Sequence, residues 1–348
     1  MPKPEAAVAT LAQLEAKRNL SRAEAETIME ELLSGRMAQP EVVRFLLAMR
    51  AKGETVEELV GFARVMRRHA TPIPLDQAGA SLDEWPLVDT CGTGGGAGGT
   101  FNVSTAAALV VAGAGVRVAK HGNRSISTRS GSADVLEALG VKLDMPPARI
   151  AEAIARIGIG FLFAPAMHTA MKHAMPARRE VGGRTVFNLL GPLTNPAGAA
   201  AQLIGVPEVH LVDKLGGALA ELGARRGFVV CGVDGLDEIS LSDETEVADV
   251  KSGTVNRYRI QPEDFGVARA PLAALAGGDP ATNAQIIRGI LAGERGPRRD
   301  FVCINAAAAL VAAGRTANFK EGARLAAEAI DSGAARARLD ALIAFPGS

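Results

Sequence analysis

The sequence predicts an α/β protein with a small all-helical N-terminal domain and a larger α/β domain whose central sheet is mostly parallel. Three observations support this prediction. Residues 1 to about 70 carry apolar side chains at three- and four-residue steps, the period of amphipathic helices. A segment rich in Pro, Gly and small polar residues follows at 71–86. Beyond it, short apolar strands alternate with helical stretches, which is typical of a parallel sheet covered by helices on both faces.

The helical domain is expected to span residues 1–75, with a later helical segment near 168–185. Ser21 and Glu24 have the spacing of a capping box at the start of a helix. The apolar stripes of these helices are typical of packing faces. A dimer interface has the same pattern, so the sequence leaves core and interface open as explanations.

The α/β domain is expected to span residues 86–348. The run LVDTCGTGGG at 87–96 predicts a short strand that enters a glycine loop, and VRVAKHGNR at 116–124 repeats the strand-into-loop pattern. A helix is expected after each loop. Later strands are expected at 160–163, 201–206 and 227–230, with helices such as 212–222 between them.

Composition limits the classes of function. Lys and Arg together number 38, as do Asp and Glu, and the resulting zero net charge argues against general attraction to nucleic acid or to an anionic membrane. The 48% share of hydrophobic residues excludes a largely disordered chain. The 3 cysteines have neither disulfide nor zinc-site spacing, and no signal peptide or membrane span is recognisable. We expect a cytoplasmic protein with no nucleic-acid or membrane partner.

The first candidate site is the glycine loop at 92–100. Glycines let backbone N–H groups approach an anion closely, and the N-terminus of the following helix adds partial positive charge. The hydroxyls of Thr100, Ser104 and Thr105 are suited to donate to phosphate oxygens or to help hold a metal. A tight strand-to-helix turn explains the glycines as well, and the loop carries neither the dinucleotide-binding fingerprint nor the P-loop motif.

A second candidate site is the loop at 120–132, which follows the next strand. It combines three cations, one amide and five hydroxyl residues at the carboxyl end of a strand, where open α/β sheets bind ligands. Two such loops on successive strands predict a ligand with several phosphates. Asp237 and Glu238 follow the strand at 227–230, and adjacent carboxylates suit Mg²⁺, although an acidic dipeptide in a turn is usually only solvated.

The chain resembles the anthranilate phosphoribosyltransferase family over nearly its whole length. The most specific motifs are KHGNR at 120–124 and RTVFNLLGPLTNP at 184–196. Further matching motifs are GTGG at 92–95, NVST at 102–105, SGSADVLEALG at 130–140, FLFAP at 161–165, His168 with 170–171, Arg178, and DE at 237–238. The resemblance implies a helical domain plus an α/β domain, a homodimer through the helical domain, and Mg²⁺ as cofactor. It also implies transfer of phosphoribose from phosphoribosyl diphosphate (PRPP) to the amine of anthranilate, with release of diphosphate, in tryptophan biosynthesis.

The resemblance assigns residues to each part of the site. The PRPP-binding residues are expected to be Gly92, Gly95, Gly96, Thr100, Asn102, Ser104, Thr105, Lys120, His121, Gly122, Asn123, Arg124, Ser127, Thr128 and Ser132. Anthranilate is assigned to Gly92, Asn123, His168 and Arg178, and Mg²⁺ to Ser104, Asp237 and Glu238. Lys120 and Arg178 are assigned catalytic roles. Lys120 would stabilise the negative charge that develops on diphosphate, and Arg178 would hold the carboxylate of the acceptor by paired hydrogen bonds. A packed, hydrogen-bonded histidine explains His168 almost as well, and a surface cation is the other explanation for Arg178.

One position departs from the family pattern. Most members carry Asp directly after GTGG, where this chain has Gly96. Because a carboxylate is missing there, we expect altered Mg²⁺ use or reduced activity. Restoring the carboxylate with Gly96→Asp is expected to strengthen Mg²⁺ binding or to raise kcat/KM for PRPP. Two other functions are compatible with the fold. One is a catalytically weak paralogue that binds nucleic acid, and the other is a nucleoside phosphorylase, although pyrimidine nucleoside phosphorylases are not similar at KHGNR or GPLTNP.

Overall fold

The computed structural model describes residues 4–79, 86–96, 99–125 and 129–345, and only the backbone of residues 4–8. Most of the described residues lie in helices or strands. The helices are α1 (Pro4–Glu15), α2 (Arg22–Leu33), α3 (Gln39–Lys52), α4 (Val56–His69), α5 (Val103–Gly113), α6 (Ser132–Ala138), α7 (Pro147–Ile157), α8 (Ala164–Met167), α9 (Met175–Val181), α10 (Val186–Leu190), α11 (Val209–Glu221), α12 (Pro280–Leu291), α13 (Pro297–Ala312), α14 (Phe319–Asp331) and α15 (Ala334–Ala344). The strands are β1 (Val88–Gly92), β2 (Val118–Gly122), β3 (Ile159–Phe163), β4 (Ala201–Gly205), β5 (Arg226–Gly232), β6 (Thr245–Lys251) and β7 (Thr254–Ile260).

The seven strands form one sheet in the order β3-β2-β1-β4-β5-β6-β7. The pairs among β1 to β5 are all parallel, and β6 and β7 are antiparallel additions at one edge. The predicted mostly parallel sheet is therefore confirmed. The chain turns from one half of the sheet to the other at β1, which lies between β2 and β4. Open α/β sheets bind ligands at such a switch point, outside the carboxyl ends of the strands.

The predicted strands are confirmed within one or two residues, but the hairpin of β6 and β7 was missed. A two-residue turn joins these strands, with positive φ at Ser252 (47°) and Gly253 (85°). Positive φ at both central residues is the geometry of the turn that best matches the twist of a hairpin. The Ser-Gly pair between two alternating runs is the signal that would have predicted it.

Each face of the sheet contributes to its own hydrophobic cluster. Successive residues of β5 alternate between them, because side chains of a strand point to opposite faces: Phe228 belongs to one cluster and Val229 to the other. The first cluster includes α5, α7 and α12 to α15. The second joins α1 to α4 with α9, α10 and α11, so that Ala177 of α9 is buried in the same cluster as Phe45 of α3.

The capping box at α2 is confirmed. The Ser21 hydroxyl accepts a hydrogen bond from the Glu24 N–H at 3.3 Å, and the Glu24 carboxylate accepts one from the Ser21 N–H at 2.8 Å. The connecting segment expected at 71–86 lies partly outside the described residues. The domain limits at 75 and 86 stay predictions, although the contact between α9 and α3 agrees with a helical segment near 168–185 that joins the N-terminal helices.

Candidate active site

A cleft of about 800 Å³ opens at the carboxyl edge of the parallel strands. The glycine loop after β1, the loop after β2 and the segment after β5 all contribute to its wall. The predicted site residues that line it are Gly92, Gly95, Gly96, Thr100, Asn102, Ser104, Lys120, His121, Gly122, Asn123, Arg124, Ser132, Arg178, Asp237 and Glu238. The two loops and the acidic pair that the sequence singled out therefore meet at one place.

Two predicted residues within the described ranges do not line the cleft. Thr105 is 1% exposed in the first turn of α5, and its hydroxyl has no hydrogen-bond partner among the described residues. His168 is also buried and lies behind His121. Their direct contact with a ligand stays a prediction that this arrangement does not support. Ser127 and Thr128 lie outside the described residues.

Two glycines make room for Asp237 at the rim. A Cβ at Gly205, the last residue of β4, would overlap the carbonyl oxygen of Asp237. A Cβ at Gly96 would overlap the Asp237 carboxylate and come within 2.9 Å of its backbone nitrogen. The acidic segment therefore crosses the end of β4 and touches the glycine loop, which places Gly96 beside the proposed metal-binding carboxylates.

Asp237 and Glu238 form a partly buried acidic pair. Burial raises the pKa of both carboxyls, and the charge of Asp237 raises the pKa of Glu238 further. Within the described part of the chain, neither carboxylate has a cationic side chain at ion-pair distance. Adjacent, unpaired oxygen ligands with Ser104 on the same cleft suit Mg²⁺, which binds through one or two carboxylates and completes its shell with water and phosphate oxygens.

A buried polar network forms the floor of the cleft and extends below it. Lys120 is 2% exposed and donates from Nζ to the carbonyl oxygen of Thr90 at 2.6 Å. Asp89 accepts hydrogen bonds from Asn195 Nδ2 at 2.8 Å and from the His121 N–H at 3.1 Å. Burial lowers the pKa of Lys120, and the nearby Asp89 carboxylate opposes this shift. Lys120 and Asp89 are therefore buried side by side at the cleft floor, where each favours the charged form of the other against the effect of burial.

His121 and His168 form a buried pair of neutral rings. Burial lowers the pKa of His121 to about 3 and that of His168 to about 4. His121 Nδ1 lies 3.2 Å from the carbonyl oxygen of Gly191, and because a carbonyl only accepts, Nδ1 carries the proton of the neutral ring. Nε2 of His121 is then an unprotonated acceptor, buried without a hydrogen-bond partner in the described structure.

Asn102 ties the two loops together. Its amide nitrogen donates to the Ser130 carbonyl at 2.9 Å, and its amide oxygen accepts from the Ser130 hydroxyl at 3.0 Å. The same oxygen accepts from Asn283 Nδ2 of α12 at 2.9 Å. The side chain of Asn102 therefore links the start of α5 to the second loop and to α12.

Arg124 is already paired. Its guanidinium forms ion pairs with Glu137 at 2.7 Å and Asp134 at 3.1 Å, both on α6. Ser132, the first residue of α6, accepts a hydrogen bond on its hydroxyl from the Asn123 N–H at 3.2 Å. Arg124 lines the cleft, but a phosphate there would have to share this cation with α6, so its assignment to PRPP stays a prediction.

Arg178 differs from Arg124 in its surroundings. This arginine of α9 lies over the ring of Phe187, 5.3 Å from its centroid, and burial lowers its pKa. Its closest polar contact is the Met175 sulfur at 4.0 Å. Across the described ranges, no carboxylate lies within ion-pair distance of it. A partly buried guanidinium on a cleft wall without an anion suits a ligand carboxylate, which it can hold through two parallel hydrogen bonds.

Sequence reasoning missed four residues that organise the site. Asp89 was recognisable as a charged residue inside an otherwise apolar strand. Arg184 and Asn195 lie within the quoted motif at 184–196, but nothing in a motif shows which loop its side chains reach. Asn283 carried no signal, because its partner Asn102 lies 181 residues earlier.

Comparison with known proteins places the chain among enzymes of one kind. The family model described as "Glycosyl transferase family, a/b domain" matches residues 84–336, and "Glycosyl transferase family, helical bundle domain" matches residues 8–70. An anthranilate phosphoribosyltransferase of Solibacter usitatus is 55% identical over 97% of this chain and 98% of the relative. The structure of anthranilate phosphoribosyltransferase (TrpD) from Thermus thermophilus superposes with a TM-score of 0.89 at 45% identity, covering 97% of this chain and 98% of that one. The enzyme of Saccharomyces cerevisiae in complex with PRPP and Mg superposes with a TM-score of 0.88 at 27% identity, covering 99% and 98% of the two chains.

Proposed function

The chain belongs to the anthranilate phosphoribosyltransferase family, and we propose that it transfers the phosphoribosyl group of PRPP to the amine of anthranilate, with release of diphosphate, in tryptophan biosynthesis. One observation carries this proposal. A single cleft combines two anion-suited loops, an unpaired acidic pair and Arg178, which has no carboxylate partner among the described residues. A donor with several phosphates and an acceptor with one carboxylate match these three features.

The donor side stabilises a leaving anion. The bond from C1 of the ribose to diphosphate breaks, its electron pair leaves with diphosphate, and positive charge develops on the sugar. Backbone N–H groups of the glycine loop and the start of α5 present partial positive charge to the cleft. Lys120, buried at the cleft floor, would stabilise the same anion through its ammonium group, whose effect a low dielectric strengthens.

The acceptor side requires orientation rather than an activated side chain. A neutral aromatic amine is itself a nucleophile, so a hold on the anthranilate carboxylate by Arg178 fixes the nitrogen in line with C1. The new bond forms from the nitrogen lone pair, and the nitrogen then releases a proton. The three cysteines are poor nucleophiles, because burial raises the pKa of Cys231 and Cys303 to about 11 and that of Cys91 well above its usual value.

We propose Ser104, Asp237 and Glu238 as the residues that would hold Mg²⁺. When bound, Mg²⁺ would neutralise negative charge on diphosphate as the C1 bond breaks. The fit of these residues rests on the acidic pair, which is partly buried and has no cationic partner at ion-pair distance in the described structure. The mutual repulsion of the two carboxylates favours a divalent cation between the protein and substrate phosphates.

We also propose a homodimer formed through the helical domain and a cytoplasmic location. On α3, Leu47 is 47% exposed, and a second copy packed on this helix would bury it. Light scattering on the purified protein tests the dimer, and Leu47→Glu is expected to shift it towards monomer. No described helix is both long and apolar enough to span a bilayer.

The fall of anthranilate fluorescence with PRPP and Mg²⁺ tests the function directly. The signal is expected to decay only when both are present, and a metal chelator is expected to stop it. Parallel reactions with a nucleoside and inorganic phosphate test the phosphorylase alternative. Phosphorolysis without anthranilate consumption would contradict the proposed function.

A further inference from the structure

Arg184 donates two hydrogen bonds to the glycine loop. Its Nη1 donates to the carbonyl oxygen of Gly94 at 2.9 Å, and Nη2 donates to the Thr93 hydroxyl at 3.4 Å. Gly94 and Gly95 line the cleft, whereas Arg184 is not among the residues of its wall. The guanidinium therefore holds the face of the loop opposite to the one that a ligand would meet.

The hydrogen bond from Arg184 to the Gly94 carbonyl fixes the direction of the Gly95 N–H. The Gly94 carbonyl and the Gly95 N–H belong to one trans peptide plane, so they point in opposite directions. A carbonyl directed at Arg184 turns the Gly95 N–H away from Arg184, towards the cleft side of the loop. Within the described residues this N–H has no acceptor. It is therefore oriented and free to donate to an anion.

Glycine at position 95 is required for this approach. Its φ is 94°, a region that residues with a Cβ rarely adopt. A Cβ at this position would also lie 2.5 Å from Arg184 Nη1, closer than two non-bonded atoms can approach. The backbone conformation and the space for the guanidinium thus depend on the same glycine.

The helical domain supports the backbone of Arg184. Arg50 of α3 donates from Nε to the carbonyl oxygen of Arg184 at 3.0 Å and from Nη2 to that of Gly182. Gly182 and Gly183 have positive φ values of 60° and 64°, so this turn between α9 and α10 lacks the stiffness that side chains give. The hydrogen bonds from Arg50 restrict this turn and fix the position of the Arg184 backbone.

We propose that Arg184 is a positioning residue for the donor substrate: it orients the peptide between Gly94 and Gly95 so that the Gly95 N–H donates to a phosphate oxygen of PRPP. This inference rests on the proposed function. A second explanation for Arg184 is its charge, which lowers the pKa of the Asp237 carboxyl. Arg184→Lys distinguishes the two explanations, because lysine keeps the positive charge but cannot form both hydrogen bonds of the guanidinium to the loop.

The experiment compares Arg184→Met, Arg184→Lys and the matched control Arg179→Met. Arg179 is exposed on α9, five positions from Arg184, and lies outside the cleft. Steady-state kinetics give the KM of each substrate, and calorimetry gives the Kd of PRPP in the presence of Mg²⁺. Thermal unfolding reports whether each variant is folded, and Arg184→Lys serves if Arg184→Met does not fold.

Arg184→Met is expected to raise the KM and Kd of PRPP about tenfold, the loss of one charge-assisted hydrogen bond. The KM of anthranilate should stay within about twofold, and Arg184→Lys should recover only part of the PRPP affinity. Full recovery by Arg184→Lys, or equal effects on both substrates, would overturn the inference. If the unmodified protein neither binds PRPP nor consumes anthranilate, the proposed function fails instead, whatever the variants do.

Discussion

The imidazole rings of His121 and His168 lie with their centroids 5.1 Å apart and their planes inclined by 54°, buried beside the cleft. Burial lowers the pKa of both rings, and the neighbouring ring and Lys120 lower that of His121 further. Both rings are therefore neutral in the folded protein well below the pH at which a free histidine takes up a proton. The pair makes stability depend on pH.

We expect the free energy of unfolding to fall as the pH falls from about 6.5 towards about 4. In this range the unfolded chain binds protons on both histidines and the folded chain does not, so protonation favours unfolding. The loss is on the order of 1 kcal/mol per histidine per pH unit. Urea titrations at several pH values measure it, and His168→Asn should reduce the slope. The exposed His210 gives the control His210→Asn, and an equal reduction in that variant would contradict the prediction.

Arg178→Ala is expected to raise the KM of anthranilate more than that of PRPP. The lost contact is a charge-assisted one, which contributes ~1.5–3 kcal/mol. Arg178→Lys should restore part of the affinity, because a point charge does not reproduce the paired hydrogen bonds. Steady-state kinetics with each substrate varied in turn measure both constants. Arg179→Ala is the control on the same helix, and equal changes in the two KM values would point to a structural role for Arg178.

Replacing Asp237 and Glu238 together, as Asp237→Asn with Glu238→Gln, should abolish most Mg²⁺-dependent turnover while the protein stays folded. The amides keep the shape of the side chains but lack the charge that binds the cation. A second readout is independent of catalysis: Mg²⁺ with PRPP should raise the melting temperature of the unmodified protein and leave that of the double variant almost unchanged. Unaltered Mg²⁺ dependence in the folded variant would rule out these residues as ligands.

Gly96 gives a prediction that the structure refines. Its φ is not positive, so the backbone accepts a side chain, but a Cβ would meet Asp237. Gly96→Ala is therefore expected to lower kcat/KM for PRPP, because the loop or Asp237 must move. Gly96→Asp has the same Cβ and adds an oxygen ligand, so its apparent Mg²⁺ affinity should exceed that of Gly96→Ala. Mg²⁺ titrations of both variants measure this, and identical curves would show that position 96 does not reach the metal.

Much of the fold could be predicted from the sequence because buried parallel strands leave a strong local pattern. The ends of β1 and β2 are marked by their glycines, and loops at neighbouring carboxyl ends must share one edge. The contact from Arg184 to Gly94 had no such signal. The two residues lie 90 positions apart, and only the packed fold brings them together.

The direction in which side chains point could not be predicted from the sequence either. His168 matched the family pattern, yet whether it faced the cleft depended on the ring of His121 in front of it. The sequence assigned Arg124 to PRPP and Arg178 to anthranilate without showing which of them has a carboxylate partner in the fold. Their difference comes from α6, which supplies two carboxylates to Arg124, while Arg178 lies against an aromatic ring.

The central place of β1 also has a consequence for the order in which the nascent chain can fold. β1 pairs with β2 on one side and with β4 on the other, and about 110 residues separate Gly92 from Gly205. At ~5–20 residues per second, synthesis of that stretch takes on the order of 6–20 s. During this interval one edge of the strand that carries the glycine loop has unpaired N–H and C=O groups. Ribosome-bound chains that end before residue 201 should therefore be more prone to aggregate or to recruit chaperones than chains that end beyond residue 230.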